Sequence, residues 1–347
     1  MAVEKEIVAF AERLPDGQVR CKVCQRECLL AEGQGGFCGA RVNQAGKMVP
    51  LTYGRVAALH WAEVERKPLF HFHPGRVMLS AGSLGCNFRC PGCQNWELAH
   101  AEVDSALRNI DLVPPETLVA LAEERRALGI SFTYNEPTLW FEYTLDCARL
   151  AKEKGLLTNY VTNGAMTREA LDQIGPFLDA YRVDIKGFSA DTYDKVANFP
   201  RFQGILEVAE RAKGRWGMHV ECVTNVTPTL NDDEEELRRL ARWISQALGP
   251  DTPWHVTRFV PHLRLAHLPA TEPETLEKAR DVGLGEGLKF VYIGNVPGHP
   301  AENTYCPECG RMVIERAGLV TPRVLLDGDA CPGCGARIPG RFEPRTQ

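Results

Sequence analysis

Short apolar runs alternate with amphipathic segments through the middle of this chain of 347 residues. Segments with apolar positions one helical turn apart predict helices over residues 116–128, 138–154 and 232–248. Apolar, β-branched runs between and around these helices predict buried strands. The predicted strands cover residues 77–81, 130–134, 157–162, 180–185, 218–224, 254–260 and 288–293.

Regular alternation of buried strands and helices predicts an α/β fold with a parallel sheet or barrel. Six or seven strands are fewer than the eight of a closed barrel. We therefore predict an incomplete parallel (β/α)6 TIM-like barrel over residues 76–300. Residues 1–75 are expected to form an amphipathic helix carrying Ile7, Phe10, Ala11 and Leu14, followed by a four-cysteine module. Residues 301–347 are expected to form a zinc-ribbon module around a hairpin.

Composition limits the class of protein. Hydrophobic residues make up 44% and charged residues 24% of the chain, which excludes a disordered or collagen-like protein. The net charge of −5 argues against a general nucleic-acid binder. No apolar run is long enough to span a membrane, and the first residues do not resemble a signal peptide. We expect a cytoplasmic protein, in which clustered cysteines stay reduced and bind metals.

Three of the thirteen cysteines follow the first predicted strand of the barrel. Cys86, Cys90 and Cys93 have the spacing Cys-x3-Cys-x2-Cys. They lie in a loop at the carboxyl end of a strand, where α/β barrels place their chemistry. Three thiolates suit a 4Fe–4S cluster and leave one iron open. The alternatives are a zinc knuckle completed by a distant histidine, or unrelated core cysteines.

Two further groups of four cysteines flank the predicted barrel. Near the end of the chain, two Cys-Pro-x-Cys-Gly turns separated by 21 residues predict a zinc ribbon, formed by Cys306, Cys309, Cys331 and Cys334. Near the start, one pair has knuckle spacing, and the group fits either zinc or an auxiliary 4Fe–4S cluster that relays electrons. That group contains Cys21, Cys24, Cys28 and Cys38. Cys147 and Cys222 are isolated and are expected to pack in the core.

The cysteine triad and the strand–helix units together resemble the radical S-adenosylmethionine superfamily. The segments GFCGAR, GCNFRCPGCQN, TYNEPTLWFEY, VTNG, VDIKGF, PWHVTRFVP, KFVYIGNVPG and ENTYCPECG occur in this order. This set is similar to the AmmeMemoRadiSam-system radical enzymes, which are related to the pyruvate formate-lyase activating enzymes. The resemblance implies that the open iron binds S-adenosylmethionine, and that one electron cleaves it to methionine and a 5′-deoxyadenosyl radical that abstracts a substrate hydrogen.

The resemblance also implies which residues contact S-adenosylmethionine. Asn135, Glu136 and Pro137 match the segment that binds its amino group. Thr162, Asn163 and Gly164 match the ribose and carboxylate contacts. On the fourth strand Asp184 and Lys186 face the barrel interior, with Lys186 as a partner for the carboxylate, and His262 lies near the same mouth.

Simpler interpretations stand beside these assignments. Glu136 also fits the acidic start of a helix, residues 162–164 fit a plain turn, and Asp184 with Lys186 fits a structural ion pair. The relatives usually carry an aromatic residue before the third cysteine, to pack on adenine. This chain has Gly92 there, so Phe88 or Trp96 is the expected substitute.

The predicted function is therefore reductive cleavage of S-adenosylmethionine followed by hydrogen abstraction from an unidentified small-molecule or protein substrate. The implied electron donor is a flavodoxin or ferredoxin, and no nucleic acid or membrane partner is expected. One alternative is an activase that places a glycyl radical on a partner protein. An alternative of another class is a zinc-only scaffold or nucleic-acid adaptor.

Overall fold

The computed structural model describes residues 9–199 and 201–342. Its strands are β1 Ala11–Arg13, β2 Val19–Cys21, β3 Leu29–Leu30, β4 Arg41–Gln44, β5 Lys47–Pro50, β6 Ala58–Glu63, β7 Val77–Gly82, β8 Gly129–Phe132, β9 Leu157–Thr162, β10 Ala180–Asp184, β11 His219–Val226, β12 Trp254–Arg258, β13 Val291–Gly294, β14 Thr304–Tyr305, β15 Met312–Ala317 and β16 Val320–Val324. Its α-helices are α1 Trp96–Ala99, α2 Val103–Ala106, α3 Pro115–Glu124, α4 Phe141–Glu153, α5 Arg168–Ile174, α6 Ala190–Ala197, α7 Phe202–Gly214, α8 Glu234–Trp243 and α9 Pro273–Gly285.

The main sheet has eight strands in the order β13-β12-β11-β10-β9-β8-β7-β6. Strands β7 to β13 run parallel, and each of the first six is followed by helical structure before the next strand begins. Since β6 and β13 are the two ends of the sheet, the barrel is open. This arrangement confirms the predicted α/β class and the incomplete parallel barrel.

One detail of the predicted barrel was wrong. Strand β13 overlaps the predicted strand over residues 288–293 and follows the six strand–helix units as the seventh parallel strand. An eighth strand, β6, pairs antiparallel with β7 at the edge and was not predicted. Its residues are exposed or half-buried throughout, so it lacks the apolar run that marks a central strand.

The predicted N-terminal helix is also wrong for the described residues, and Ile7 lies outside them. Residues 11–13 form β1, which pairs antiparallel with β2. The turn Pro15-Asp16-Gly17 reverses the chain between these strands, and Gly17 adopts a φ of +82°. Proline, aspartate and glycine in this order favour a turn, and the resulting hairpin pairing overrides helical periodicity.

The C-terminal module packs on the barrel near the amino ends of its strands. Strands β14, β15 and β16 form a three-stranded sheet. Buried residues of this module share an apolar cluster with Phe70 and with Tyr292 of β13. Arg341 donates to the carbonyl of Gly217, just before β11, over 2.9 Å. The module therefore leaves the carboxyl ends of these strands free.

Candidate active site

The carboxyl ends of the parallel strands surround a cavity of about 490 Å³. This volume lies in the usual range for small-molecule sites. Nine of the twelve residues predicted for the central site line it, namely Cys86, Cys90, Cys93, Asn135, Glu136, Thr162, Asn163, Asp184 and Lys186. The predicted residues Pro137, Gly164 and His262 do not line it.

The loop that carries the three cysteines is fixed by side chains from neighbouring elements. Asn135 accepts a hydrogen bond from the amide of Ser83 and donates to the carbonyl of Gly85, each over 3.0 Å. Arg89 donates to the carbonyl of Cys86 over 2.7 Å and to the carbonyl of Phe37 over 2.9 Å. Asn135 therefore positions the start of the loop with its amide group.

The three thiols of the cysteine loop are not drawn together as closely as the C-terminal cysteines. Among the described residues, the C-terminal cysteines are the one group in which at least three His, Cys, Asp or Glu ligand atoms all lie within 4.8 Å of one another. The three thiols of Cys86, Cys90 and Cys93 are thus more widely spaced, although all face one cavity. Burial raises the pKa of Cys90 to about 11, and Lys186 opposes this effect.

Glu136 is buried and bound by four donors. Its Oε1 accepts from the amide and hydroxyl of Thr138 over 3.0 and 2.6 Å, and from the hydroxyl of Thr162 over 2.7 Å. Its Oε2 accepts from the amide of Asn163 over 2.8 Å. Glu136 caps the short 3₁₀ helix that begins at Pro137. The carboxylate therefore ties the end of β8 to the end of β9, and one side of it still borders the cavity.

The turn after β9 holds the cysteine loop from the other side. The side-chain amide of Asn163 donates to Oδ1 of Asn87 over 2.7 Å and lies 3.8 Å from the sulfur of Cys86. Gly164 has a φ of +77°, and a Cβ there would lie 2.6 Å from Ile205. Gly164 thus shapes the turn, while Asn163 contacts the loop.

Strand β10 and the residues directly after it bring three charged side chains to the cavity. Asp184 pairs with Arg182 through one oxygen and with Nζ of Lys186 over 3.3 Å through the other. Burial opposes ionisation of Asp184, but the two cations outweigh it and lower its pKa. Arg182 was missed at the sequence level. The alternation Arg182-x-Asp184-x-Lys186 was the available signal, since residues two apart share one strand face.

The segment after β12 covers the third cysteine of the loop. The amide of Arg264 donates to the carbonyl of Pro91 over 3.0 Å. A Cβ on Gly92 would lie 3.0 Å from Leu265 and 3.3 Å from Phe259, and both side chains line the cavity. Phe259, which the sequence analysis did not single out, therefore lies beside Gly92 at the wall of the cavity.

The other candidates for adenine packing are placed differently. Phe88 borders the cavity, but its ring packs against Phe199 with centroids 4.9 Å apart. Trp96 is 41% exposed and does not line the cavity. His262 is half-buried, and its Nε2 has no hydrogen-bond partner within the described part of the chain.

The C-terminal cysteines form a compact four-sulfur site. The sulfurs of Cys306 and Cys334 lie 3.7 Å apart, and those of Cys309 and Cys331 lie 3.6 Å apart. A tetrahedral ion with zinc–sulfur bonds of about 2.3 Å requires sulfurs roughly 3.8 Å apart. The N-terminal cysteines line a second, smaller cavity beside the cysteine loop. Cys147 and Cys222 are fully buried in the core, as predicted.

Comparisons with known proteins agree with this geometry. The family model described as the radical SAM superfamily matches residues 82–244. The chain is 40% identical over 331 residues to a Methanocaldococcus jannaschii protein named Uncharacterized protein MJ0808, covering 95% of this chain and 97% of that protein. It is 28% identical to the pyruvate formate-lyase-activating enzyme of Clostridium pasteurianum, over 46% of this chain and 66% of that enzyme.

A solved structure of a radical SAM methyltransferase from Sphaerobacter thermophilus is similar over 67% of this chain and 71% of its own. The sequence identity is 15% and the TM-score is 0.47.

Proposed function

Because the chain belongs to the radical SAM superfamily, we propose that Cys86, Cys90 and Cys93 hold a 4Fe–4S cluster with one iron open to S-adenosylmethionine. When bound, such a cluster supplies the electron that cleaves S-adenosylmethionine to methionine and a 5′-deoxyadenosyl radical. The observation that carries this proposal is one cavity in which the cysteine loop meets charged and amide side chains from the ends of β8, β9 and β10.

The chain's own residues bind and orient the sulfonium substrate in this proposal. Lys186 offers its ammonium to the carboxylate of S-adenosylmethionine, and Asp184 holds that ammonium in place. The substrate's amino group meets the carbonyls and carboxylate of the Asn135–Glu136 segment. The adenine packs against Phe259. Asn163 donates a hydrogen bond to Asn87 and so holds Cys86 in place beside the ribose of S-adenosylmethionine.

We also propose a structural zinc ion at Cys306, Cys309, Cys331 and Cys334, which the sulfur spacing supports. The electron donor is a low-potential flavodoxin- or ferredoxin-type protein, and the site of action is the cytoplasm. Across residues 9–199 and 201–342, no helix has both the length and the apolar character needed to cross a bilayer.

The first prediction tests the central site. Replacing Cys86, Cys90 and Cys93 together by Ala abolishes formation of 5′-deoxyadenosine, because no other thiol within residues 9–199 and 201–342 lines the cavity. The product is measured after anaerobic reconstitution and reduction with dithionite. Cys222→Ala, at a buried cysteine outside the site, is the control and keeps full activity. Undiminished 5′-deoxyadenosine from the triple variant would contradict the assignment.

A glycyl-radical activase is the second candidate, and the similarity to the Clostridium pasteurianum enzyme supports it. The two candidates differ in where the hydrogen originates. An activase yields a glycyl radical with a doublet electron paramagnetic resonance signal on a partner protein. An enzyme acting on small molecules yields 5′-deoxyadenosine that carries deuterium from a labelled metabolite.

A further inference from the structure

The four N-terminal cysteines surround a small cavity that is separate from the central one. Cys21, Cys24 and Cys38 are buried, and Cys28 is half-buried. The remaining walls are mainly apolar, with two arginines and two residues from the barrel. They comprise Val23, Arg26, Leu30, Gly36, Phe37, Arg41, Asn87 and Leu139. Four thiols that converge on an enclosed apolar cavity form a ligand set for a metal centre.

The spacing of these sulfurs distinguishes one ion from a cluster. In the C-terminal site, four sulfurs lie within 4.8 Å of one another, as a single tetrahedral ion requires. In the described part of the chain, no three of the N-terminal sulfurs meet that limit, and neither do the three central sulfurs. A 4Fe–4S cluster places four irons between its cysteines and so keeps the sulfurs farther apart. The N-terminal sulfurs, like the central ones, are therefore not drawn together as closely as those of the ribbon.

The N-terminal cavity shares a wall with the cysteine loop. Cys86 faces the central cavity, whereas the next residue, Asn87, faces the N-terminal one. Adjacent Cα atoms lie about 3.8 Å apart, so one residue of chain separates the two cavities there. A Cβ on Gly85 would lie 2.5 Å from the carbonyl of Cys38, which shows how closely the two segments pack.

Arg26 connects the two cysteine groups electrostatically. Its Nε donates to the carbonyl of Asn87 over 2.6 Å, and its guanidinium lies 3.6 Å from the ring centroid of Phe37. The guanidinium lines the N-terminal cavity and bonds the residue next to Cys86, so a positive charge lies between the two cysteine groups.

We propose that Cys21, Cys24, Cys28 and Cys38 hold a second 4Fe–4S cluster, which passes single electrons to the central site. The relay, unlike the second cluster itself, rests on the proposed function. A reduced flavodoxin- or ferredoxin-type protein loses one electron, which takes the second cluster from its 2+ to its 1+ state. The second cluster returns to 2+ when the central cluster accepts that electron. No bond is made or broken in the transfer, and no proton moves.

Metal analysis tests the second cluster without any assay of activity. The variant Cys86→Ala/Cys90→Ala/Cys93→Ala, reconstituted anaerobically, is expected to retain about four iron, about four acid-labile sulfide and about one zinc per chain. On reduction it gives the paramagnetic resonance signal of a 4Fe–4S centre. The same variant with no iron and about two zinc would overturn the proposal.

A second variant links the retained iron to the N-terminal cysteines. Adding Cys28→Ser, at the least buried of the four, to the triple variant is expected to remove most of the iron and sulfide. The control adds Cys147→Ser instead and keeps the iron, since Cys147 lines neither cavity. Equal iron content in both would contradict the assignment.

The source of electrons tests the relay. In Cys28→Ser alone, 5′-deoxyadenosine formation is expected to fall at least about tenfold with reduced flavodoxin, and to remain near the wild-type rate with dithionite. Equal loss with both reductants, or loss with neither, would overturn the relay. If the proposed function itself fails, the unaltered protein yields no 5′-deoxyadenosine with either reductant, whereas the iron of the triple variant is unaffected.

Discussion

At the scale of single residues, side chains in the wall of the central cavity satisfy one another's hydrogen-bonding groups. Glu136 was predicted both as a contact for an amino group and as a helix-start acid. The structure places it as the cap of a 3₁₀ helix and as the acceptor for the turn after β9. The sequence identifies Glu136 but not its hydrogen-bond partners. These donors are far apart in the chain, since Thr138 follows β8, whereas Thr162 and Asn163 lie at the end of β9.

Lys186 is the residue best placed to separate a binding role from a structural one. Replacing it by Met is expected to weaken S-adenosylmethionine binding about 10- to 100-fold, since a charged hydrogen bond contributes roughly 1.5–3 kcal/mol. Affinity is measured by calorimetry on the reconstituted protein, and the visible spectrum reports the cluster.

The matched control is Lys195→Met, whose exposed side chain pairs with Asp191 on α6. It leaves the affinity unchanged. If Lys186→Met also leaves it unchanged, Lys186 serves only as an ion-pair partner of Asp184.

His71 makes stability depend on pH at the contact between the barrel and the C-terminal module. Burial lowers its pKa to about 4, and Glu221 only partly opposes this. Its ring bonds the carbonyl of Pro339 and the hydroxyl of Tyr292. A histidine in the unfolded chain has a pKa of about 6.5, so the folded protein binds this proton less readily than the unfolded chain does. Stability is therefore full above about pH 6.5 and falls as the pH drops towards about 4, by up to about 3 kcal/mol.

Denaturant unfolding at several pH values measures this effect. His71→Gln is expected to reduce the dependence of the unfolding free energy on pH between about pH 6.5 and 4. Other buried groups, such as His255 and Glu221, still contribute to that dependence in the variant. His267→Gln, at an exposed position, serves as the control and retains the full slope. Identical slopes for both variants would assign the acid sensitivity to other groups.

At the scale of elements, the strands of the parallel sheet were predictable because each is a short buried apolar run. The position of the cysteine loop was predictable for the same reason, since a loop that follows such a strand must lie at the carboxyl end of that strand. Strand β6 was not predictable, because its residues are exposed or half-buried throughout and form no such run. The hairpin at β1 was missed because helical spacing was weighed above the Pro-Asp-Gly turn.

Gly85 joins two elements that the sequence keeps far apart. Its φ is +85°, and an added Cβ would lie 2.5 Å from the carbonyl of Cys38. Gly85→Ala is therefore expected to displace the N-terminal module from the cysteine loop and to lower stability by well over about 1 kcal/mol, beyond the ordinary left-handed penalty. Thermal unfolding and iron content after reconstitution measure the two effects.

Gly155 supplies the control for backbone strain alone. Its φ is +71°, but nothing lies within 4 Å of an added Cβ. Gly155→Ala is expected to cost about 1 kcal/mol and to leave the iron content unchanged. Equal effects of both substitutions would mean that the contact with Cys38 is unimportant.

At the scale of the whole molecule, four-cysteine modules lie on both sides of the open barrel. The C-terminal module covers Tyr292 of β13 and the segment around Phe70, near the amino ends of the strands. Its metal and the central cluster are therefore expected to be independent. Cys309→Ala is predicted to remove zinc and lower the melting temperature, because a structural ion contributes folding energy, while the iron content is retained.

Glu308→Ala, at an exposed position in the same knuckle, is the control and retains zinc. Metal analysis and calorimetry measure both variants. Loss of iron together with zinc in Cys309→Ala would show that the C-terminal module supports the barrel itself.

The shared wall of the N-terminal cavity has a consequence for synthesis of the protein. All four of its thiols lie within residues 21–38, but Asn87 and Leu139 complete its walls. A growing chain therefore exposes these thiols until at least residue 139 has left the ribosome and folded. Over that interval they are open to oxidation and to free metal ions. The cavity therefore closes only after residue 139 has been made, well before the chain of 347 residues is complete, and its thiols depend on a reducing environment until then.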